Sequence, residues 1–198
     1  IASFFWGAYL GEEGLINGVN ITISPWKKIS LEAFPPSAKA SGQYLNSMLA
    51  VQEARNRGYD EALLLNQDGF IAEGSGQNIF IVKNGKVFTN GESASILMGV
   101  TRKTVIQLCR DLGFEIKIGD LTQEMVINAD EAFFTGTASE ITPIASVDDS
   151  PIGDGKPGHT TLQLKDKYLN IIHGRDSQYK HWLTQVRHEN SLDPLVTE

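Results

Sequence analysis

Two dipeptides that lie between short apolar runs constrain the fold of this chain most. The run at residues 62–65 leads to Asp68-Gly69, and the run at residues 79–82 leads to Asn84-Gly85, after which the chain continues as Lys86-Val87-Phe88. Asp-Gly and Asn-Gly between apolar runs favour the tight turns that join antiparallel strands. The middle of the chain is therefore predicted to contain short β-hairpins.

Helical patterns lie on both sides of these hairpins. A helix is predicted from Gly42 to just before Gly58, where glycine favours a helix end. One face of it carries Tyr44, Leu45, Met48, Leu49 and Gln52. Further helices are predicted near residues 101–112, 122–129 and 160–173, and further strands near 1–10, 19–23, 131–135 and 141–147. Hairpins mixed with helices, without regular alternation of strand and helix, predict an α+β fold rather than a doubly wound sheet.

The composition is that of an ordinary globular domain and excludes several classes of partner. The chain has 198 residues, of which 41% are hydrophobic and 21% charged. Its apolar runs are far too short to cross a membrane. With 17 basic against 24 acidic residues, the net charge of −7 argues against nucleic acid and against an anionic membrane surface. The single cysteine, Cys109, cannot form an internal disulfide, which predicts a cytoplasmic location.

Two segments supply candidate reactive groups. Lys39 stands among small residues, which leave room for a flat ligand to approach its amine. A desolvated lysine amine can form a Schiff base, whereas a solvated loop lysine is the alternative. Glu73 stands in an apolar strand just before Gly74-Ser75-Gly76. If buried, its carboxylate needs a cationic partner; if solvated, it is unremarkable.

Two further segments are candidate anion sites. Gly99 and Thr101 stand at the start of a predicted helix, where free amides and a hydroxyl can bind an anion, although Thr101 could simply cap the helix. Residues 134–143 are small and hydroxylated and could present amides to a second anion, or form a polar turn. An amine, a carboxylate for a ring cation and an amide cradle for a phosphate are what pyridoxal phosphate needs. The four histidines have no partners at metal-ligand spacing, so no metal site is predicted.

With these motifs in order, the chain resembles the branched-chain amino-acid aminotransferases. They belong to the fold type IV group of pyridoxal-phosphate enzymes, which also contains D-amino-acid aminotransferase. The resemblance extends over nearly all 198 residues. It implies an α+β large domain, with mostly antiparallel strands in a pseudo-barrel and flanking helices. It also implies that residues 1–13 end a small N-terminal domain and its connector, that the rest of that domain is missing, and that residues 14–198 form the large cofactor-binding domain.

The resemblance assigns roles to particular residues. Lys39 matches the catalytic lysine that holds the cofactor covalently, Tyr44 the tyrosine at the ring hydroxyl, and Glu73 the carboxylate paired with the pyridine nitrogen. The remaining matches to cofactor-binding positions are Leu97 at the ring face and Gly99, Val100, Thr101 and Thr137 at the phosphate. The matches to substrate-binding positions are Trp6, Tyr9, Thr137 and Ala138.

The activity implied by the resemblance is ping-pong transamination. The amino group of L-leucine, L-isoleucine or L-valine would pass to 2-oxoglutarate through pyridoxal 5'-phosphate, in a homodimer or higher homo-oligomer. Gln77 and Met98 depart from the family, where a second glutamate and a proline are common, but both leave the cofactor set intact. D-amino-acid aminotransferase, amine transaminase and aminodeoxychorismate lyase share Lys39 and Glu73, so they stay open as alternatives. A non-catalytic phosphate-binding fragment is an alternative of another class.

Overall fold

A computed structural model describes residues 7–184 of the chain. The α-helices are α1 Glu12–Asn17, α2 Tyr44–Asn56, α3 Val100–Asp111, α4 Gln123–Ile127 and α5 His159–Ile172. The strands are β1 Val19–Ile23, β2 Glu61–Leu65, β3 Ile71–Gly74, β4 Asn78–Lys83, β5 Lys86–Thr89, β6 Ile116–Ile118, β7 Glu131–Gly136, β8 Glu140–Val147 and β9 Ser150–Pro151. None of the helices in the described range has the length and apolar character that a membrane crossing requires.

The strands form one mixed sheet that curls on itself. Its order is β3-β2-β1-β8-β7-β4-β5-β6, with β9 paired to β8. The pairs β1–β2, β1–β8 and β5–β6 are parallel, and the other pairs are antiparallel. β3 lies at one end of this order and β4 in its sixth position, yet the Gly74 amide donates to the Gln77 carbonyl across the short turn that joins them, at 2.8 Å. The sheet therefore bends into a half-barrel, which together with the flanking helices confirms the predicted fold class.

The two faces of the sheet bury separate cores. Along β4, Ile79 and Ile81 lie in the core inside the curl, whereas Phe80 and Val82 lie in the core that the sheet forms with α3 and α5. This alternation follows from the two-residue period of a strand. In the second core the rings of Phe80 and Phe133 stack at 5.1 Å, and Cys109 packs fully buried beside them. Burial raises the pKa of the Cys109 thiol to about 12, so the thiol stays protonated, as expected of a packing residue.

Both predicted hairpins are confirmed. Gly69 adopts a φ of +88° between β2 and β3, and Asn84 and Gly85 adopt φ values of +50° and +72° between β4 and β5. These left-handed conformations are the ones for which Asn and Gly are favoured.

The strand predicted near residues 1–10 is not formed at residues 7–10, the part of it that the structure describes. The predicted domain boundary between residues 13 and 14 falls within α1 and stays a prediction.

The apolar face predicted for α2 is exposed. Leu45 and Met48 are 65% and 61% accessible, while α2 packs through small residues. The buried residues of α2 are Ser47, Ala50 and Ala54. Apolar spacing identifies a face, but not what covers it.

Candidate active site

A cavity of about 210 Å³ lies where β3 and β7 end and α3 begins. The predicted site residues that line it are Lys39, Tyr44, Glu73, Leu97, Gly99, Val100, Thr101 and Thr137. An adjoining cavity of about 270 Å³ shares several of these residues and adds two predicted substrate residues, Tyr9 and Ala138. Trp6 lies outside the described residues. The fold thus brings together groups as far apart in the sequence as Tyr9 and Ala138.

Glu73 is a buried carboxylate with several donors around it. Its Oε1 lies 2.7 Å from the ammonium of Lys28, which is buried as well. Its Oε2 accepts hydrogen bonds from the Asn78 amide and from the Leu97 backbone N–H, both at 3.1 Å. Burial raises the pKa of Glu73 above its usual value, and the Lys28 ammonium opposes this rise. The cationic partner that a buried carboxylate requires is therefore supplied by the protein itself.

Lys39 lies on the rim of the cavity, in the loop before α2. Gln43 holds this loop by donating its side-chain amide to the Ala38 carbonyl at 2.7 Å. The Lys39 ammonium lies 5.6 Å from the ring centroid of Tyr44, which begins α2. Lys39 is exposed, so residues 7–184 do not provide the desolvation expected for its amine. Its side chain is nevertheless placed at the cavity that contains Glu73.

The start of α3 offers unpaired backbone amides to the cavity. Gly99 precedes the first helical residue, and no side chain caps the helix. Thr101 is the second residue of α3, so the alternative that it caps the helix is wrong. Its side chain lines the cavity instead. A Cβ at Gly99 would lie 2.5 Å from the Asn78 Oδ1, so the close approach of this loop to Asn78 requires glycine.

The same cavity has a buried cation without an anion. Arg102 is 1% exposed, and its Nη2 donates to the Asn90 carbonyl at 2.5 Å, while its Nε has no hydrogen-bond partner. No carboxylate of residues 7–184 lies within ion-pair distance of Arg102. The hydroxyl of Thr135, which also lines the cavity, is likewise buried without a partner. Free amides, an uncompensated cation and an unpaired hydroxyl together suit an anionic group such as a phosphate.

A second buried carboxylate supports the wall of the cavity. Glu61 in β2 is fully buried, and its Oε2 accepts hydrogen bonds from the Ser75 hydroxyl at 2.8 Å and the Gln77 amide at 3.0 Å. Its Oε1 accepts from the Ala62 backbone N–H at 2.7 Å. Ser75 and Gln77 both line the cavity, so Glu61 fixes the turn on which they lie.

Sequence reasoning missed Lys28, Glu61 and Arg102. Lys28 and Glu61 lie 45 and 12 positions from Glu73, and no local pattern joins either of them to it. Arg102 directly follows the predicted anion site, but its burial depends on how α3 packs against the sheet. A signal in the sequence was available only for Arg102, as a basic residue in the first turn of a helix that begins at an anion site.

Comparison with known proteins agrees with this fold and site. The family model for amino-transferase class IV matches residues 1–147. A branched-chain-amino-acid aminotransferase of Pseudomonas aeruginosa is 43% identical over 94% of this chain and 61% of that protein. One of Escherichia coli K12 is 41% identical over 94% of this chain and 60% of that protein.

Solved structures show the same likeness. A crystal structure of the Escherichia coli branched-chain amino acid aminotransferase matches with a TM-score of 0.90 and 41% identity, over 93% of this chain and 60% of that one. The holo-form of the enzyme from Thermobaculum terrenum, with PLP, matches with a TM-score of 0.82 and 44% identity, over 84% and 54%. The chain belongs to the class IV aminotransferase family. It spans about 60% of the length of the curated relatives it matches.

Proposed function

We propose that this chain is the cofactor-binding part of a branched-chain amino-acid aminotransferase. It would transfer the amino group of L-leucine, L-isoleucine or L-valine to 2-oxoglutarate, with pyridoxal 5'-phosphate as cofactor. The observation that carries the proposal is the single cavity that brings Lys39, the buried carboxylate of Glu73 and the uncapped start of α3 together. Relatives more than 40% identical that carry this name support the choice of substrate.

The residues of the cavity fit the three chemical parts of the cofactor. The free amides of α3, with Thr101 and Arg102, suit its phosphate, and the Glu73 carboxylate suits a protonated ring nitrogen. Leu97 and Tyr44 line the space between, where a flat ring would lie. When bound, the cofactor provides an aldehyde that condenses with amines and a ring that accepts the electrons released when a Cα–H bond breaks.

The protein's own groups would then carry the proton transfers. The Lys39 amine would accept the α-proton of the substrate as general base and donate it back as general acid. Glu73 would hold a proton on the ring nitrogen. The Thr137 and Ala138 segment, which lines the adjoining cavity, would bind the α-carboxylate, and Tyr9 would contribute an apolar wall for an aliphatic side chain.

Two measurements test this function. Reduction with borohydride in the presence of pyridoxal 5'-phosphate is expected to fix the cofactor to Lys39, with the modified peptide identified by mass spectrometry. Oxo-acid formation is expected from L-leucine with 2-oxoglutarate, but not from D-alanine. Turnover of D-alanine instead would favour a D-amino-acid aminotransferase, and the absence of both labelling and turnover would favour a non-catalytic phosphate-binding protein.

Assembly and location complete the proposal. The exposed apolar residues Leu45, Met48 and Leu49 of α2 lie beside Tyr44 at the cavity, which supports a homodimer or higher homo-oligomer that covers them. We also propose that residues 14–198 form the large domain of the enzyme. A cytoplasmic location is supported by the single, buried and unpaired Cys109.

A further inference from the structure

Lys28 is the residue that our assignment of the cavity leaves without a role. It is 5% exposed and lies in the segment that follows β1. Its backbone N–H donates to the Leu65 carbonyl at 2.7 Å, and its carbonyl accepts from the Gln67 amide at 2.8 Å. These two bonds fix the Lys28 backbone to the end of β2, next to β3, which carries Glu73. The Lys28 backbone is therefore fixed through both its N–H and its carbonyl, and the side chain extends from this fixed point toward Glu73.

The ammonium lies behind Glu73 as seen from the cavity. It contacts the Glu73 Oε1 at 2.7 Å, whereas Lys28 is not among the residues that line either cavity. Asn78 and Leu97 donate to the other carboxylate oxygen. One carboxylate is thus held by three donors, one of them charged, while one side of it still lines the cavity. This arrangement fixes the orientation of Glu73 before any ligand arrives.

We propose that Lys28 is a positioning residue that keeps Glu73 ionised and thereby places the proton shared with a bound pyridine ring on the ring nitrogen. The first part of this proposal, the ionisation of Glu73, stands on the contacts of Lys28 alone. The second part, the position of the proton on the ring nitrogen, rests on the function proposed above. Coulomb energy falls with distance, so the Lys28 charge stabilises a negative charge on the adjacent Glu73 more than it opposes a positive charge farther away in the cavity. A proton between Glu73 and a ring nitrogen therefore moves toward the nitrogen.

In the absence of Lys28, the main influence on whether the Glu73 carboxyl is ionised is its desolvation by burial. Desolvation is the largest influence on the pKa of this carboxyl and raises it, and the Lys28 charge is the largest influence in the opposite direction. Lys39 also lowers the pKa of Glu73, but it is exposed and contributes less. Removal of the Lys28 charge is therefore expected to raise the pKa of Glu73 further and to favour its neutral carboxylic acid form.

Infrared spectroscopy of the cofactor-free protein tests the first part without reference to activity. Near neutral pH, Lys28→Met and Lys28→Gln are each expected to gain the carbonyl stretch of one protonated carboxyl relative to wild type, and the added change Glu73→Gln should remove it. Lys28→Gln keeps a hydrogen bond to Glu73 and so separates charge from contact. Lys28→Arg keeps the charge and should gain no band.

The matched control is Lys27→Met. Lys27 is the exposed neighbour whose ammonium donates to the Gln67 carbonyl at 2.8 Å, and its loss should add no band. If neither Lys28→Met nor Lys28→Gln gains the band, the proposal is wrong. This outcome does not depend on whether the protein binds a cofactor.

Nitrogen NMR with ring-labelled pyridoxal 5'-phosphate tests the second part. The ring nitrogen is expected to be protonated in wild type, Lys28→Arg and Lys27→Met. In Lys28→Met its signal should shift toward that of neutral pyridine, with the ratio of protonated to neutral ring nitrogen lowered by at least about tenfold. An unchanged nitrogen signal in Lys28→Met would overturn the proposal. Failure of the cofactor assignment would be distinguishable, because borohydride would then label Lys39 in no variant, including wild type.

Discussion

Glu61 allows the sharpest test of how the cavity is supported. Glu61→Gln preserves the shape of the side chain but replaces one acceptor oxygen by a donor NH2. If that group takes the place of Oε2, it faces the amide of Gln77, which cannot simply rotate because its own oxygen accepts from the Gly76 N–H at 3.0 Å. If it takes the place of Oε1, it faces the Ala62 backbone N–H. Either orientation leaves a buried donor without a partner.

The magnitude follows from that single loss. A buried donor without an acceptor costs about 1–3 kcal/mol, so about 2 kcal/mol of unfolding free energy should be lost. For a chain of this size that corresponds to a fall in Tm of about 4–8 °C. Ser75 can adapt, because its hydroxyl can accept as well as donate. The exposed Glu124 of α4 provides the control, since Glu124→Gln should leave Tm nearly unchanged.

The pH dependence of this loss has a definite sign. Burial raises the pKa of Glu61 above the ordinary value of 4.5, so the folded protein binds this proton more tightly than the unfolded chain. The contribution of Glu61 to stability is therefore fully present below the unfolded pKa and is lost as pH rises through the folded pKa. The difference in Tm between wild type and Glu61→Gln should be larger near about pH 5 than near about pH 8. A difference that grows with pH would refute the reasoning.

Three other substitutions test the cavity directly. Lys39→Ala should abolish transamination and borohydride labelling while leaving Tm nearly unchanged, because the side chain is exposed; near-normal turnover would contradict the assignment. Glu73→Gln should slow α-proton transfer in single-turnover experiments by two to three orders of magnitude, about 3–4 kcal/mol, and a rate within a few-fold of wild type would show that Glu73 does not serve the ring nitrogen. Gly99→Ala should displace Asn78, cost about 1–3 kcal/mol of stability and weaken cofactor binding, whereas Gly119→Ala, with no atom within 4 Å of the added Cβ, should do neither.

The sequence by itself determined the local structure and identified the candidate reactive residues. The hairpin turns at Gly69 and Gly85 and the end of α3 before Gly113 need only a few neighbouring residues to form, because the backbone preferences of Gly and Asn are local. Lys39 and Glu73 were found in the same way, from their immediate neighbours and from a family resemblance. The fold places both at one cavity, and their roles there stay predictions.

Tertiary structure alone decided which charges lie behind those residues. Nothing near Glu73 in the sequence indicates Lys28, and the partner assumed for a buried carboxylate was the cofactor. The face of α2 that bears Leu45 and Met48 was likewise unreadable, because its spacing does not say whether the protein covers it. Burial and ion pairing depend on segments that are far apart in the chain and meet only when the sheet curls. Desolvation is a property of that assembled surrounding, so no single segment could have shown it.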